Sequence, residues 1–382
     1  MNRKFFSYKW MIAFISVSFL AKCKVPYDPP IKNSSSQFLV VEGYINGNGE
    51  TSVNLSRTRN ITWGDTAAYK NELNARVVIE DNLQDVFPLN ENGNGSYSGS
   101  YFLYPNAKYR LHITTSDNKE YFSDFVNLKN SPSEDLGWKF KDGDVQVYVN
   151  ARDPNNNTKF YRWSYAETWE FHSEYYSNIR YNPSDTTVVN RTVPVFVCYR
   201  TRPSSSILIG SSAKLKEDII HEASVALVPN HDRRISVLYS ILVTQYALDS
   251  TEYNYWSAMK SNTENVGSIF DPQPNQTRGN IHCVSDSSEM VIGYIGAGQT
   301  QQRRLFISNS QMPSDWNETS NCTEYTVPNS RDSLVFYFGS SAFIPYLKDS
   351  TPSGVTKGYF SASATCVDCT LTGSTVKPDF WP

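Results

Sequence analysis

Apolar and polar residues alternate along most of this chain, the period of strands with one buried face. The clearest case starts at Arg233, where Ile235, Val237, Tyr239, Ile241 and Val243 alternate through RRISVLYSILVTQYAL. At Asp249 the period changes. Asp249 and Glu252 have the D-x-x-E spacing of a capping box, and Tyr253, Trp256 and Met259 follow at helical spacing. These signals predict a helix over about 250–264, capped near Gly267, with its aromatic face, including a buried Trp256, across the sheet. FDPQPNQTRGN is too rich in Pro and Asn for helix or central strand, and Asp271 within it reads as a loop-structuring residue. A hairpin through Ile281–Cys283 and Met290–Ile295 closes this central block.

The same alternation organises the rest. QFLVVEGYI, TSVNLSRT, ARVVIED, GSYSGSY, YRLHITT and EYFSDFVNL predict a small β-sandwich over 37–130. Tyr109, after Pro105-Asn106, stands like the tyrosine corner of immunoglobulin-like sandwiches. Gly93–Gly99 reads as a hairpin turn, since no Lys or strand-to-helix context supports a phosphate loop. Residues 131–145, with SPSED and KDGD as turn signals, read as a linker. A larger β domain is then expected over 145–382. In KFYRWSYAETWEFH, Tyr161, Trp163, Tyr165, Glu167 and Trp169 share one face. Trp163 and Trp169 are therefore candidates either for sheet packing or for a surface on which sugars or peptides stack. Residues 173–190 show no period and read as an exposed excursion; SLVFYF is a later apolar stretch, and the tail reads as irregular, pinned by cysteines and aromatics. The expected fold class is mainly β, an immunoglobulin-like sandwich followed by a β-rich domain with one prominent helix.

Residues 1–22 change the picture of where this fold works. Arg3, Lys4 and Lys9 precede an apolar run, Trp10–Ala21, that is too short to span a bilayer. Leu20-Ala21-Lys22-Cys23 follows, with Lys22 where a lipobox places a small residue. Residues 1–22 are expected to be a lipoprotein signal peptide, Cys23 the lipidated residue, and 23–36 a Pro/Ser-rich tether. Acyl chains on Cys23 would hold the protein at a membrane. Removing the four cations of 1–22 takes the net charge from −3 to −7, and no basic stripe remains to suggest nucleic acid. Aromatic content is high at 14%, with 25 Tyr, which suits β surfaces and contact surfaces alike.

Five cysteines remain: Cys198, Cys283, Cys322, Cys366 and Cys369. An exported chain makes them disulfide candidates. Cys366-Val-Asp-Cys369 lacks both a helix N-terminus for redox chemistry and a second ligand pair for zinc, so structural cystines are expected. Cys198–Cys283 is the first expectation; Cys322 would pair with Cys366 or Cys369, leaving one thiol odd. His112, His172, His221, His231 and His282 are scattered, and no G-x-S-x-G appears. No metal, cofactor or enzymatic activity is expected.

YSILVTQYAL, STEYNYW, GSIFDPQPNQTRGNIHC and VIGYIGA, with FLVVEGYING, DPNNNTKFYRW and CVDCTLTGSTVKPDFWP, closely resemble the domain-of-unknown-function 4249 family. The resemblance implies an outer-membrane lipoprotein of Bacteroidota encoded beside TonB-dependent receptors, at the cell surface or facing the periplasm. It would serve as a non-enzymatic accessory partner of a TonB-dependent transporter in nutrient capture. A cell-envelope adhesin or structural lipoprotein is the alternative, and a surface glycan or peptide hydrolase a more distant one.

Overall fold

A computed structural model of the chain describes residues 37–58, 69–264, 278–316 and 321–382. Cys23, the tether, Gly267 and Asp271 lie outside the described residues. The chain is mainly β. Among the described residues there are three α-helices: α1 (Ser250–Glu264), α2 (Arg331–Phe338) and α3 (Ala364–Val367).

The N-terminal sheet is built largely from the expected strands. Leu39–Asn46 pairs antiparallel with Asn48–Thr58, which pairs with Ser96–Phe102. Val86–Gly93 joins two halves of the sheet, pairing through 86–89 with Arg76–Asp81 and through 90–93 with Ser96–Ser98. Lys108–Thr114 and Glu120–Ser123 extend the second half. Val41, Val53 and Leu55 from one half and Ile79, Leu111 and Ile113 from the other share one core, so the sheet folds over on itself. The Tyr109 hydroxyl donates to the Tyr104 carbonyl at 3.0 Å.

Two later segments complete this sheet. Gly296–Gln299 and Val291–Ile292 run parallel to Leu39–Asn46, and Ile281–Cys283 pairs with Glu120–Ser123. A buried network fixes them: Arg57 donates to Glu72 at 2.7 Å and Glu289 at 3.2 Å, and the Tyr121 hydroxyl donates to Glu289 at 2.6 Å. The hairpin of the central block thus belongs to the N-terminal core. This also corrects the expected Cys198–Cys283 bridge. Cys283 is a buried free thiol in the N-terminal core, whereas Cys198 lies in the second core and is bonded to Cys369, with Cα atoms 5.8 Å apart. Cys322 pairs with Cys366, one of the two options open for it.

The second core lies between two antiparallel sheets. One has the order Val197–Pro203, Phe160–His172, Leu238–Leu248, Gln301–Ser308. The other is Glu134–Lys141, Asp144–Arg152, Ile219–Val228, so the stretch expected as a linker is mostly strand. Val145, Val147 and Val149 meet Tyr161, Trp163, Tyr239, Ile241 and Val243 across the interior. The C-terminal tail covers the outer face of the first sheet. The Trp381 ring packs against Tyr199 and Phe306, and its N–H donates to Glu170.

Two other expectations change. Residues 173–190 contain a hairpin, Ile179–Asn182 with Thr187–Asn190, and Ile179 is buried against Val327, Leu334 and Phe338. SLVFYF forms most of α2, whose N-terminus is capped by the Ser330 hydroxyl accepting from Ser333 N–H.

The chain passes from the N-terminal core to the second core at 130–134 and, having returned between Leu248 and Ile281, passes again at 299–301. The first crossing is bound to the strand Leu238–Leu248. The Ser131 hydroxyl donates to the Gln245 carbonyl and accepts from Ala247 N–H, while the Gln245 amide donates to the Pro132 carbonyl at 2.8 Å. The Gln245 side-chain oxygen accepts from the Trp163 indole at 2.9 Å. Gln245→Leu would leave the Trp163 N–H and the Pro132 carbonyl buried without partners. Urea unfolding is expected to show a loss of roughly 2–4 kcal/mol; an unchanged midpoint would contradict this account of the crossing.

Glu134, at the same crossing, is buried, and neither carboxylate oxygen has a hydrogen-bond partner among the described residues. Burial pushes its carboxyl up to about 8, against a weaker opposing pull from Arg303. Folding therefore disfavours the charged form, and stability is lost as pH rises from about 4.5 toward 8. The stability of Glu134→Gln relative to wild type is expected to rise by roughly 2–4 kcal/mol between those pH values. Denaturant titrations at both ends measure it, and a pH-independent difference would refute it.

Candidate functional site

The fold leaves a cleft of about 420 Å³ between the two cores. Its walls come from five places: the strand Leu39–Asn46 (Glu42, Tyr44, Asn46), the strand Asn48–Thr58 (Glu50, Ser52, Asn54), the outer face of the central sheet (Arg162, Thr244, Tyr246), α1 (Tyr255, Trp256, Met259) and the segment Ile292–Tyr294. Apolar walls with a few converging polar groups at a boundary between packed units are the usual form of a small-ligand site.

Arg162 stands at its centre. It pairs across the ladder with Tyr246, on the face opposite the packed Tyr161 and Trp163. Its guanidinium lies 4.1 Å from the Tyr246 ring centroid and 4.6 Å from that of Trp256, a cation held between two aromatic faces. Its Nε is buried without a partner among the described residues. Tyr44 meets Tyr246 edge-on at 4.9 Å, and Tyr255 packs on Tyr294 at 5.2 Å. Each of these rings carries a hydroxyl, so the walls offer apolar area with polar tips.

Glu252 lies behind the Trp256 wall of the cleft. It sits in the first turn of α1, where its N–H donates to the Asp249 carboxylate at 2.8 Å, half of the expected capping box. Its own side chain does not return to the cap. It turns inward, accepts from the Trp256 indole at 3.3 Å and is 5% exposed. A Cβ on Gly296 would press on the Glu252 carboxylate, so glycine there leaves room for that side chain. Burial pushes the Glu252 carboxyl up to about 7, with Arg162 pulling the other way. Burial first, and then the nearby Glu252 charge, raises the Tyr44 hydroxyl well above the usual tyrosine range.

The expected site residues fall differently. Trp163 is core: it stacks on Tyr161 at 5.8 Å and its N–H is satisfied by Gln245. Trp169 is also 7% exposed in the second core, though its edge borders a separate concavity. Trp256, expected to be buried, is half-buried and faces the cleft; α1 instead buries Glu252 and Tyr255. Arg162, Tyr246 and Tyr44 were not singled out in the sequence. Their signal was a positively charged or aromatic residue on the polar phase of an alternating strand.

These features define a mainly-β protein with two packed cores and an aromatic cleft at their junction. The chain belongs to the family described as domain of unknown function (DUF4249), whose model matches residues 24–304. The match takes in both walls of the cleft and stops before the tail that also carries the resemblance. No curated protein matches the chain. Among solved structures, the chain is similar at 10% identity to chitinase ChiA74 from Bacillus thuringiensis, over 47% of this chain and 30% of that one. The TM-score is 0.15, too low to bear on fold or activity.

Because the Trp256 N–H donates to Glu252, Trp256 emission reports the charge on that carboxyl. A pH titration of fluorescence is expected to show a component with a midpoint about 7, absent from both Glu252→Gln and Trp256→Phe. Persistence of that component in either variant would dissociate the pair.

Proposed function

We propose that this protein is an accessory binding lipoprotein of the outer membrane. In this reading it is anchored through Cys23 and offers the cleft between its cores to a small polar nutrient beside a TonB-dependent transporter. The observation that carries the binding role is the Arg162 guanidinium, held between Tyr246 and Trp256 in an open, aromatic-walled cleft. Ordering a long cation between two rings before any ligand arrives lowers the entropy lost on binding. Aromatic walls and a fixed donor suit a sugar or a short peptide, which present apolar faces and many acceptors. Family membership and the leader with Cys23 support the location and the transporter partner.

A panel of oligosaccharides and short peptides tested by calorimetry is expected to yield a ligand that binds without turnover. Its affinity should fall at least tenfold in Arg162→Gln and Trp256→Ala. Sustained product formation, or binding indifferent to both substitutions, would overturn the reading. Cys23→Ala is expected to leave the protein folded but release it from the membrane fraction, and full retention of the variant would refute the anchor. Co-purification of a TonB-dependent receptor from mild detergent tests the partner, and its absence from a tagged pull-down under those conditions counts against it.

A further inference from the structure

A second concavity, of about 280 Å³, lies at the far end of the strand Phe160–His172, under the C-terminal tail. Four arginines converge on it. Arg200 and Arg202 stand two residues apart on the edge strand Val197–Pro203, so they share a face. Arg233 and Arg234 come from the 3₁₀ turn that precedes Leu238–Leu248. Among the described residues, two carboxylates offset them. Glu167, 1% exposed, accepts from Arg202 at 2.8 Å, Arg234 at 2.6 Å and the Tyr239 hydroxyl at 2.8 Å. Asp232 takes Arg234 in a two-pronged pair.

Arg234 is thereby satisfied and serves as the base of the site. Arg200 and Arg233 are not offset. Arg233 lies over the Phe171 ring at 4.4 Å and spends one N–H on the His172 carbonyl. Arg200 lies 5.9 Å from the Trp169 ring centroid and has no carboxylate partner among the described residues. Arg202, with its side chain 55% exposed, keeps further donors free beyond its bond to Glu167. Each guanidinium offers five N–H groups in a planar fork that matches the oxygens of an oxyanion. The result is a pocket with two excess positive charges on a chain whose overall charge is negative.

The strand that carries Arg200 and Arg202 is tied covalently to the rim. Cys198, two residues before Arg200, is bonded to Cys369, three residues before Thr372 on the rim. Tyr199 and Ser374 exchange backbone hydrogen bonds on the same stretch. The concavity is therefore shaped before any ligand arrives, as a preorganised anion site requires.

We propose that this pocket binds a tetrahedral oxyanion, a sulfate or phosphate group carried on a small polar molecule. Two uncompensated guanidiniums offset the one negative charge of a sulfate ester or the two of a phosphate monoester, and the free donors of Arg202 supply a third point of attachment. The site is separate from the aromatic cleft and stands or falls independently of it.

The test uses the whole chain with its disulfides formed, titrated calorimetrically at low ionic strength. The probes are inorganic sulfate, inorganic phosphate, glucose 6-sulfate and glucose 6-phosphate, with chloride as control. Saturable binding at one site is expected for at least one pair sharing a group, and the stronger pair identifies the source. Arg200→Gln and Arg233→Gln should each weaken it about tenfold. Both leave the Glu167 and Asp232 pairs intact, so the fold is retained, which circular dichroism checks. Trp256→Ala should leave the affinity unchanged. Absence of saturable binding by all four probes, equal binding of chloride, or full affinity in Arg200→Gln would overturn the proposal.

Discussion

The two cores of this molecule are joined where residues 130–132 dock on the central strand. Gln245 is fully buried and uses both ends of its amide there, one toward Pro132 and one toward Trp163. Ser131 completes the contact from the opposite side, bridging the Gln245 carbonyl and Ala247 N–H. A buried amide satisfied at both ends has essentially one geometry. It therefore fixes both the sheet it belongs to and the chain that crosses over it. The second crossing is held more lightly, by the Asn48 amide bracketing the Thr300 backbone at 3.2 Å.

The cleft follows from this fixed junction. Its walls come from separate cores, so its width is set by how those cores meet and not by any single element. Within it, charge is handled in layers. Glu252 is withdrawn from water and biased toward its neutral form, behind walls on which Arg162 stands with Glu42 and Glu50. In the second concavity the buried Glu167 and the half-buried Asp232 are both paired, and the surplus lies with the arginines.

Strand alternation made much of the fold legible. The strands around Val41, Leu111 and Ile241 follow period-2 patterns, and α1 begins where Asp249 caps it. What alternation could not supply was pairing at long range. Nothing local in IHC or GAGQ states that these residues close a sheet begun at Leu39, because parallel and long-range partners leave no mark on period. The same blindness misassigned Cys198, whose partner is 171 residues away. The helix α2 was missed because LVFYF is as apolar as a buried strand, and only Ser330 marked its start. At the cleft, the tryptophans drew attention by their size, yet Trp163 packs inward. The residue that organises the cleft is the arginine beside it, on the phase of the strand that usually means only solvent.

The parallel pairing of Gly296–Gln299 with Leu39–Asn46 has a consequence for how the chain reaches its final form. Residues made first must wait for residues made some 250 positions later before their sheet is complete. Until then the strand Leu39–Asn46 has an open edge, a hydrogen-bonding row available to any extended chain nearby. Non-local closure of this kind slows folding, since the entropy of a long loop is lost before the contact is gained. The order of synthesis and the order of completion are therefore nearly opposite. The N-terminal half cannot mature as an independent unit ahead of the rest, and a nascent or truncated chain ending before Gly296 would carry a half-finished sheet in need of protection.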